Sequence, residues 1–136
     1  MKALTLTQPW ASLVILGVKR VETRSWRTSY EGPLAIHAAK GWTRDDVDFA
    51  FDLAARDILP LLPSIELPRG AVLGTVVFTG YRPTGGMRPS GIEHLLGDFT
   101  LGRFAWCLTL PREFAEPIPA RGALGLWEWE ETDAPS

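Results

Sequence analysis

Apolar and polar positions along the chain follow a two-residue rhythm in several short stretches and a helical rhythm in two others. "KALTLTQ" (2–8) alternates and reads as a strand. Thr7 is then placed to cap a helix whose first turn holds Pro9, which has no N–H to lose there, and Gly17 ends it. Trp10, Leu13, Val14 and, a turn later, Leu16 or Gly17 keep an apolar stripe at helical spacing, so this short helix should lie on a sheet or barrel. "RVETRSW" (20–26) and "PLAIHAA" (33–39) follow as strands across the turn-rich "RTSYEG", which predicts a hairpin.

"TRDDVDFAFDLAARDIL" (43–59) is the clearest helix: Thr43 caps it, acidic residues crowd its first turns, and Val47, Phe51 and Ala54 or Ala55 recur on one face. The prolines of "PLLPSIELPRG" (60–70) end it. "AVLGTVVFTGYR" (71–82) is a β-branched strand in which Gly74 predicts a bend or bulge. The long segment "PTGGMRPSGIEHLLGDFT" (83–100) reads as a loop, and "GRFAWCLTLPREF" (102–114) and "GALGLWEWE" (122–130) as two more strands. About six strands bent at glycines, with two flanking helices and no βαβ rhythm, predict an α+β fold built on a small mixed or antiparallel β-barrel. We expect one domain over residues 1–131 and a frayed tail over 132–136.

Composition adds little to that picture and charge adds more. With 46% hydrophobic and 22% charged residues the chain can fill a core. No apolar run approaches membrane-spanning length and the first residues lack a signal-peptide layout, so the expectation is a cytoplasmic protein with no membrane partner. A single cysteine, Cys107, leaves no internal disulfide, and His37, His94 and Cys107 have no metal-ligand spacing; no cofactor is expected. The net charge of −2 argues against a broad basic face gripping duplex DNA. Residues 1–44 nevertheless hold seven basic and two acidic side chains, so an anionic ligand belongs near the N-terminal third.

Within that third, "GVKRVETRSW" (17–26) sets charges between two apolar stretches. If it is a strand, Arg20, Glu22, Arg24 and Trp26 share one face and Val21, Thr23 and Ser25 the other, with Lys19 at the strand's mouth. A carboxylate flanked by cations is either a sheltered polar constellation, in which each charge needs its partner, or a solvated ladder of surface ion pairs. Spacing alone leaves both open.

Gly17-x-Lys19-x-x-Glu22-x-Arg24, preceded by "TLTQPWASLVILG" and followed by "YEGPLAIHAAK", resembles the signature of the ASCH family, and "AVLGTVVF" and "GALGLWEW" fall where members carry further strands. The resemblance implies a PUA-like β-barrel with a cleft beside the first helix, lined by these motif residues, and a role in binding RNA or a modified nucleoside or nucleotide. In that role Lys19, Arg20 and Arg24 meet phosphate or a base edge, Trp10, Trp26 or Tyr30 stacks on a base, and Glu22 orients an arginine or accepts from an amino group. Gln8 is a cleft donor by the same resemblance, although capping the helix explains it equally; His37 lines the cleft or is a hydrogen-bonded structural histidine.

The family also includes metal-independent amidohydrolases that deacetylate 4-N-acetylcytidine, and a ribonuclease. A hydrolase reading would assign catalytic roles to Lys19, as a base, Glu22 and Glu93, the last matched only by its place in the loop after the central strand. This chain departs from the deacetylases by carrying Glu22 where they place a nucleophilic threonine, which tips the reading toward binding. Arg82 and Arg88 could form a basic lip over the cleft, and His94 reads as a solvated loop residue.

Overall fold

A computed structural model describes residues 1–59 and 67–131 of the chain. The expected prolines at 60 and 63 and the expected tail at 132–136 lie outside those residues. Nine elements follow in chain order: β1 (Lys2–Leu6), α1 (Trp10–Ile15), β2 (Val21–Arg24), β3 (Gly32–Ala38), α2 (Arg44–Ala55), β4 (Ala71–Pro83), α3 (Ile92–Leu96), β5 (Phe104–Pro119) and β6 (Leu126–Glu128). The strands form one mixed, curled sheet in the order β2-β5-β4-β3-β1-β6, with β1 and β3 parallel and the other pairs antiparallel. The α+β fold is the one expected, its six strands curling as a half-barrel, with three helices among the described residues rather than two, because "IEHLL" winds a short turn inside the segment read as a loop.

Alternation explains how the sheet buries both faces. Leu34, Ile36 and Ala38 of β3 join Leu4 and Leu6 of β1 and Phe78 and Trp106 in the core beneath α1, whereas Ala3 and Ala35 face a second layer with Val72 and Trp129. Helix α1 spans two cores: Ala11, Val14 and Ile15 sit on the sheet, and Leu13 turns toward Ala50, Leu53 and Ala54 of α2. Thr43 caps α2, as its sequence indicates, and Asp46 reciprocates to complete a capping box. The buried face of α2 is Ala50, Leu53 and Ala54, however, and Phe51, expected inside, is half exposed. Two apolar stripes compete on that helix, and the one that carries the alanines shares a core cluster with Leu13 of α1.

Two local expectations are corrected. Thr7 does not cap α1; Gln8 does, its Oε1 accepting from the Ser12 amide while the helix starts after Pro9. Nor do β2 and β3 form a hairpin, because β2 pairs with β5 and β3 lies between β1 and β4. The segment 25–31 therefore crosses the sheet instead of turning back, and β2 becomes an edge strand. Gly74 does sit at an irregularity: Ile36 faces Gly74 and His37 faces Val72, which leaves Leu73 as the extra residue of a bulge.

Candidate functional site

The charged stretch is positioned by the end of α1. Gly17 adopts φ +78°, a left-handed conformation that favours glycine, and the Val18 and Lys19 amides both donate to Leu13 O at 3.0 Å. That fold-back turns Lys19 inward until it is 2% exposed. Its ammonium donates to Val21 O at 2.7 Å and to Leu96 O of α3 at 2.9 Å, and lies 3.5 Å from Glu22 Oε1, so all three of its N–H groups face an acceptor. The Trp10 ring closes the fourth side, 5.9 Å from Nζ. The second oxygen of Glu22 is 3.3 Å from Arg24 Nε, and Arg24 Nη2 donates to Thr5 O at 3.1 Å. Spacing had left shelter and solvent equally open; the structure builds a sheltered row of charges, lysine innermost and arginine outermost, with side-chain exposure rising from 1% to 13% to 25%.

The remaining candidates sit around this row in different ways. Gln8 is fully buried, and its amide nitrogen donates to Ser12 Oγ and Pro68 O, both at 2.8 Å, which leaves it no donor for a ligand. Trp26 packs edge-on against Trp106 at 4.8 Å, and Tyr30 packs on the same core with its hydroxyl donating to Pro33 O. Arg20 is exposed and its amide donates to Glu93 Oε1 at 2.9 Å. Glu93 thus stands apart from the Lys19–Glu22 pair. It lines a separate cavity of about 740 Å³ with Val21, Arg82 and Arg88, and Val21 points to the opposite face of β2 from Glu22. The segment that carries it is well anchored: Thr84 Oγ1 donates to Thr100 O at 2.6 Å, and Thr23 Oγ1 accepts from the Asp98 amide at 3.3 Å. Asp98 is held below the usual carboxylate range by the hydroxyl and amide of Thr100, with Arg103 adding to it.

His37 lies opposite Thr5 in the parallel β1–β3 register and is 2% exposed. Its Nε2 is 2.7 Å from Ala120 O, so that nitrogen carries the proton, and Nδ1 accepts from Thr5 Oγ1 at 3.1 Å. Thr5 Oγ1 in turn accepts from Trp127 Nε1 at 3.0 Å. The backbone seals the group, since a Cβ on Gly122 would come within 2.7 Å of both His37 Cε1 and Thr5 Oγ1. Burial pushes the His37 pKa below its ordinary 6.5, and the Ala120 bond opposes this only in part.

The sign of the pH effect follows. The unfolded chain takes up the proton first, so the stability His37 contributes is complete above pH 6.5 and is lost as pH falls through the lower folded value. Urea midpoints at pH about 7.5 and about 5 should differ more for the natural protein than for His37→Gln, in which nothing titrates there. Equal differences would show that the neutral ring is not what the network depends on.

Sequence reasoning missed Thr5 and Trp127, on strands far apart in the chain, and Gly122, in the loop between β5 and β6, all of which meet at His37. Tryptophan in a strand pattern signals packing, and its N–H partner is visible only in three dimensions. Among the described residues no three His, Cys, Asp or Glu side chains come together to hold a metal ion, and no helix is long and apolar enough to cross a membrane.

Comparison with known proteins bears on what such a site serves. The model of the ASCH domain matches residues 4–118. Two curated relatives, activating signal cointegrator 1 of Mus musculus and of Homo sapiens, are each 57% identical to this chain over 35 residues. That alignment covers 26% of this chain and only 6% of the relatives' own length.

Proposed function

Because the chain belongs to the ASCH domain family, we propose that it is an RNA- or nucleotide-binding domain whose ligand meets the cleft lined by Gly17, Lys19, Glu22 and Arg24. The observation that carries the reading is the graded row of charges. Buried Lys19 holds one oxygen of Glu22, so the carboxylate and the partly exposed Arg24 guanidinium stand side by side at the surface in a fixed orientation. An acceptor beside a forked donor suits the edge of an unpaired base, whose amino and carbonyl groups alternate in the same way. Rigid placement also spares the entropy of ordering two long side chains on binding.

Two features weigh against the hydrolase alternative. The Lys19 ammonium already donates to two backbone carbonyls and pairs with Glu22, so this lysine serves to orient Glu22 rather than to take a proton from water. Glu93, the third residue such chemistry would need, is tied to the Arg20 amide beside a different cavity. On this reading no cytidine should appear when the protein is incubated with 4-N-acetylcytidine.

The test is binding of a fluorescent single-stranded RNA of mixed sequence, about 12 nucleotides long. Arg24→Ala should weaken it roughly 10- to 100-fold, and Arg24→Lys, which keeps the charge but not the fork, should recover only part of that. Wild-type affinity in Arg24→Ala, or release of cytidine that depends on Lys19, would overturn the proposal.

A further inference from the structure

A second opening lies across Thr5 from the motif. It encloses about 900 Å³ between the end of β3, the turn before β4 and the loop joining β5 to β6. Among the described residues its charged lining residues are Lys40, Arg69 and Arg121, with His37 as the only other titratable group and no carboxylate. The His37 nitrogens are engaged within the protein, so the polar character offered to a ligand is cationic. Arg69 is preset: Nη1 donates to Lys40 O at 2.8 Å and its guanidinium lies 5.4 Å from the centre of the Trp42 ring. The remaining wall is small and apolar, ending in Leu124, which is 98% exposed at the rim.

The shortness of β6 explains why this cleft exists. Its pairing with β1 ends at Leu126 opposite Leu4, so Thr5 lies beyond the paired stretch and the preceding loop swings away. Thr5 is thereby a wall shared by both sites. Its side chain lines the cleft, and its carbonyl accepts from Arg24 of the motif at 3.1 Å. One residue separates the two.

We infer that Lys40, Arg69 and Arg121 form a phosphate-binding cleft that holds the backbone of a single-stranded RNA next to the nucleotide met by Glu22 and Arg24. Three cations with no carboxylate beside them among the described lining residues, set next to apolar surface, match a chain of phosphates carrying sugars and bases better than they match an isolated small anion. The protein's net charge of −2 makes the concentration of positive charge here a local device, not a property of the whole surface. The inference rests on the proposed RNA-binding reading and extends it by separating base recognition at the motif from backbone binding at the cleft.

The experiment is the salt dependence of binding for the same labelled RNA. Each phosphate contact on a single strand contributes about 0.7 to the slope of log affinity against log salt, so Lys40→Ala/Arg69→Ala/Arg121→Ala should flatten that slope by about 2. Arg69 also holds Lys40 O, so Lys40→Glu/Arg121→Glu serves as a second variant that leaves this bond intact; it should weaken binding at least 10-fold at low salt. An unchanged slope in the first variant, with the second at wild-type affinity, overturns the cleft; if Arg24→Ala still weakens binding, the motif reading survives. Flattening by the cleft variants with full affinity in Arg24→Ala supports the cleft and overturns base recognition at the motif. Absence of RNA binding by the unaltered protein at low salt overturns both.

Discussion

Glu22→Leu is expected to destabilise the protein by roughly 3–5 kcal/mol, and Lys19→Met by less. The asymmetry follows from where the charges lie. Removing Glu22 strands the Lys19 ammonium, whose side chain is 1% exposed, with two carbonyl oxygens and no counter-charge. Removing Lys19 instead leaves Glu22 13% exposed and still 3.3 Å from Arg24 Nε, so water and arginine retain much of its stabilisation. Methionine fills the same channel, at the cost of leaving Val21 O and Leu96 O without their charged donor. The double variant Lys19→Met/Glu22→Leu should therefore be more stable than Glu22→Leu alone, because no charge is then left buried without a counter-charge. Urea unfolding of the three proteins checks the order. Additive losses would mean that the ion pair is weak and that the two residues are held by their separate surroundings.

Gly74→Val should cost about 3 kcal/mol or more and should act on the β4–β5 ladder. A Cβ at this position would lie 2.2 Å from Arg112 O and 3.0 Å from Glu113 Cα, both backbone atoms of β5. No side-chain rotation relieves such a contact; the strands must separate or the bulge must move. At Gly122 the clash is with side-chain atoms of His37 and Thr5, which can yield at the cost of their hydrogen bonds. Hydrogen exchange after Gly74→Ala, a smaller change at the same site, should show lost protection in β4 and β5 while α2 stays protected. Uniform loss would indicate global destabilisation only.

The elements themselves were readable wherever one residue's neighbours along the chain decide its state. The Thr43 cap of α2, the Gly17 stop and the irregularity at Gly74 each follow from local backbone chemistry, and each stands where the pattern put it. The readings that failed depended on competition between distant partners. Phe51 and Ala50 both lie on plausible helical faces, and it is Ala50 that joins the cluster around Leu13, Leu53 and Leu59. β2 and β3 look like a hairpin in sequence, yet β2 buries its pairing against a strand that begins 80 residues after Arg24, at Phe104. Thr7 has the right chemistry for a cap, but the side chain of Gln8 occupies that role.

For the site the division is of the same kind. The alternation of "RVETR" sets Glu22 and Arg24 on one face of a strand, because successive side chains of extended backbone point in opposite directions. That much the chain determines alone. Whether the face is wet or sheltered is decided by Leu96 and Trp10, which close over Lys19 from another helix and from the start of α1. The cleft of Lys40, Arg69 and Arg121 is entirely a product of tertiary structure, since its three cations come from segments that meet only when β3, β4 and the β5–β6 loop assemble. Local sequence sets which way a side chain points; what it points into depends on contacts between residues far apart in the chain, and only folding brings those together.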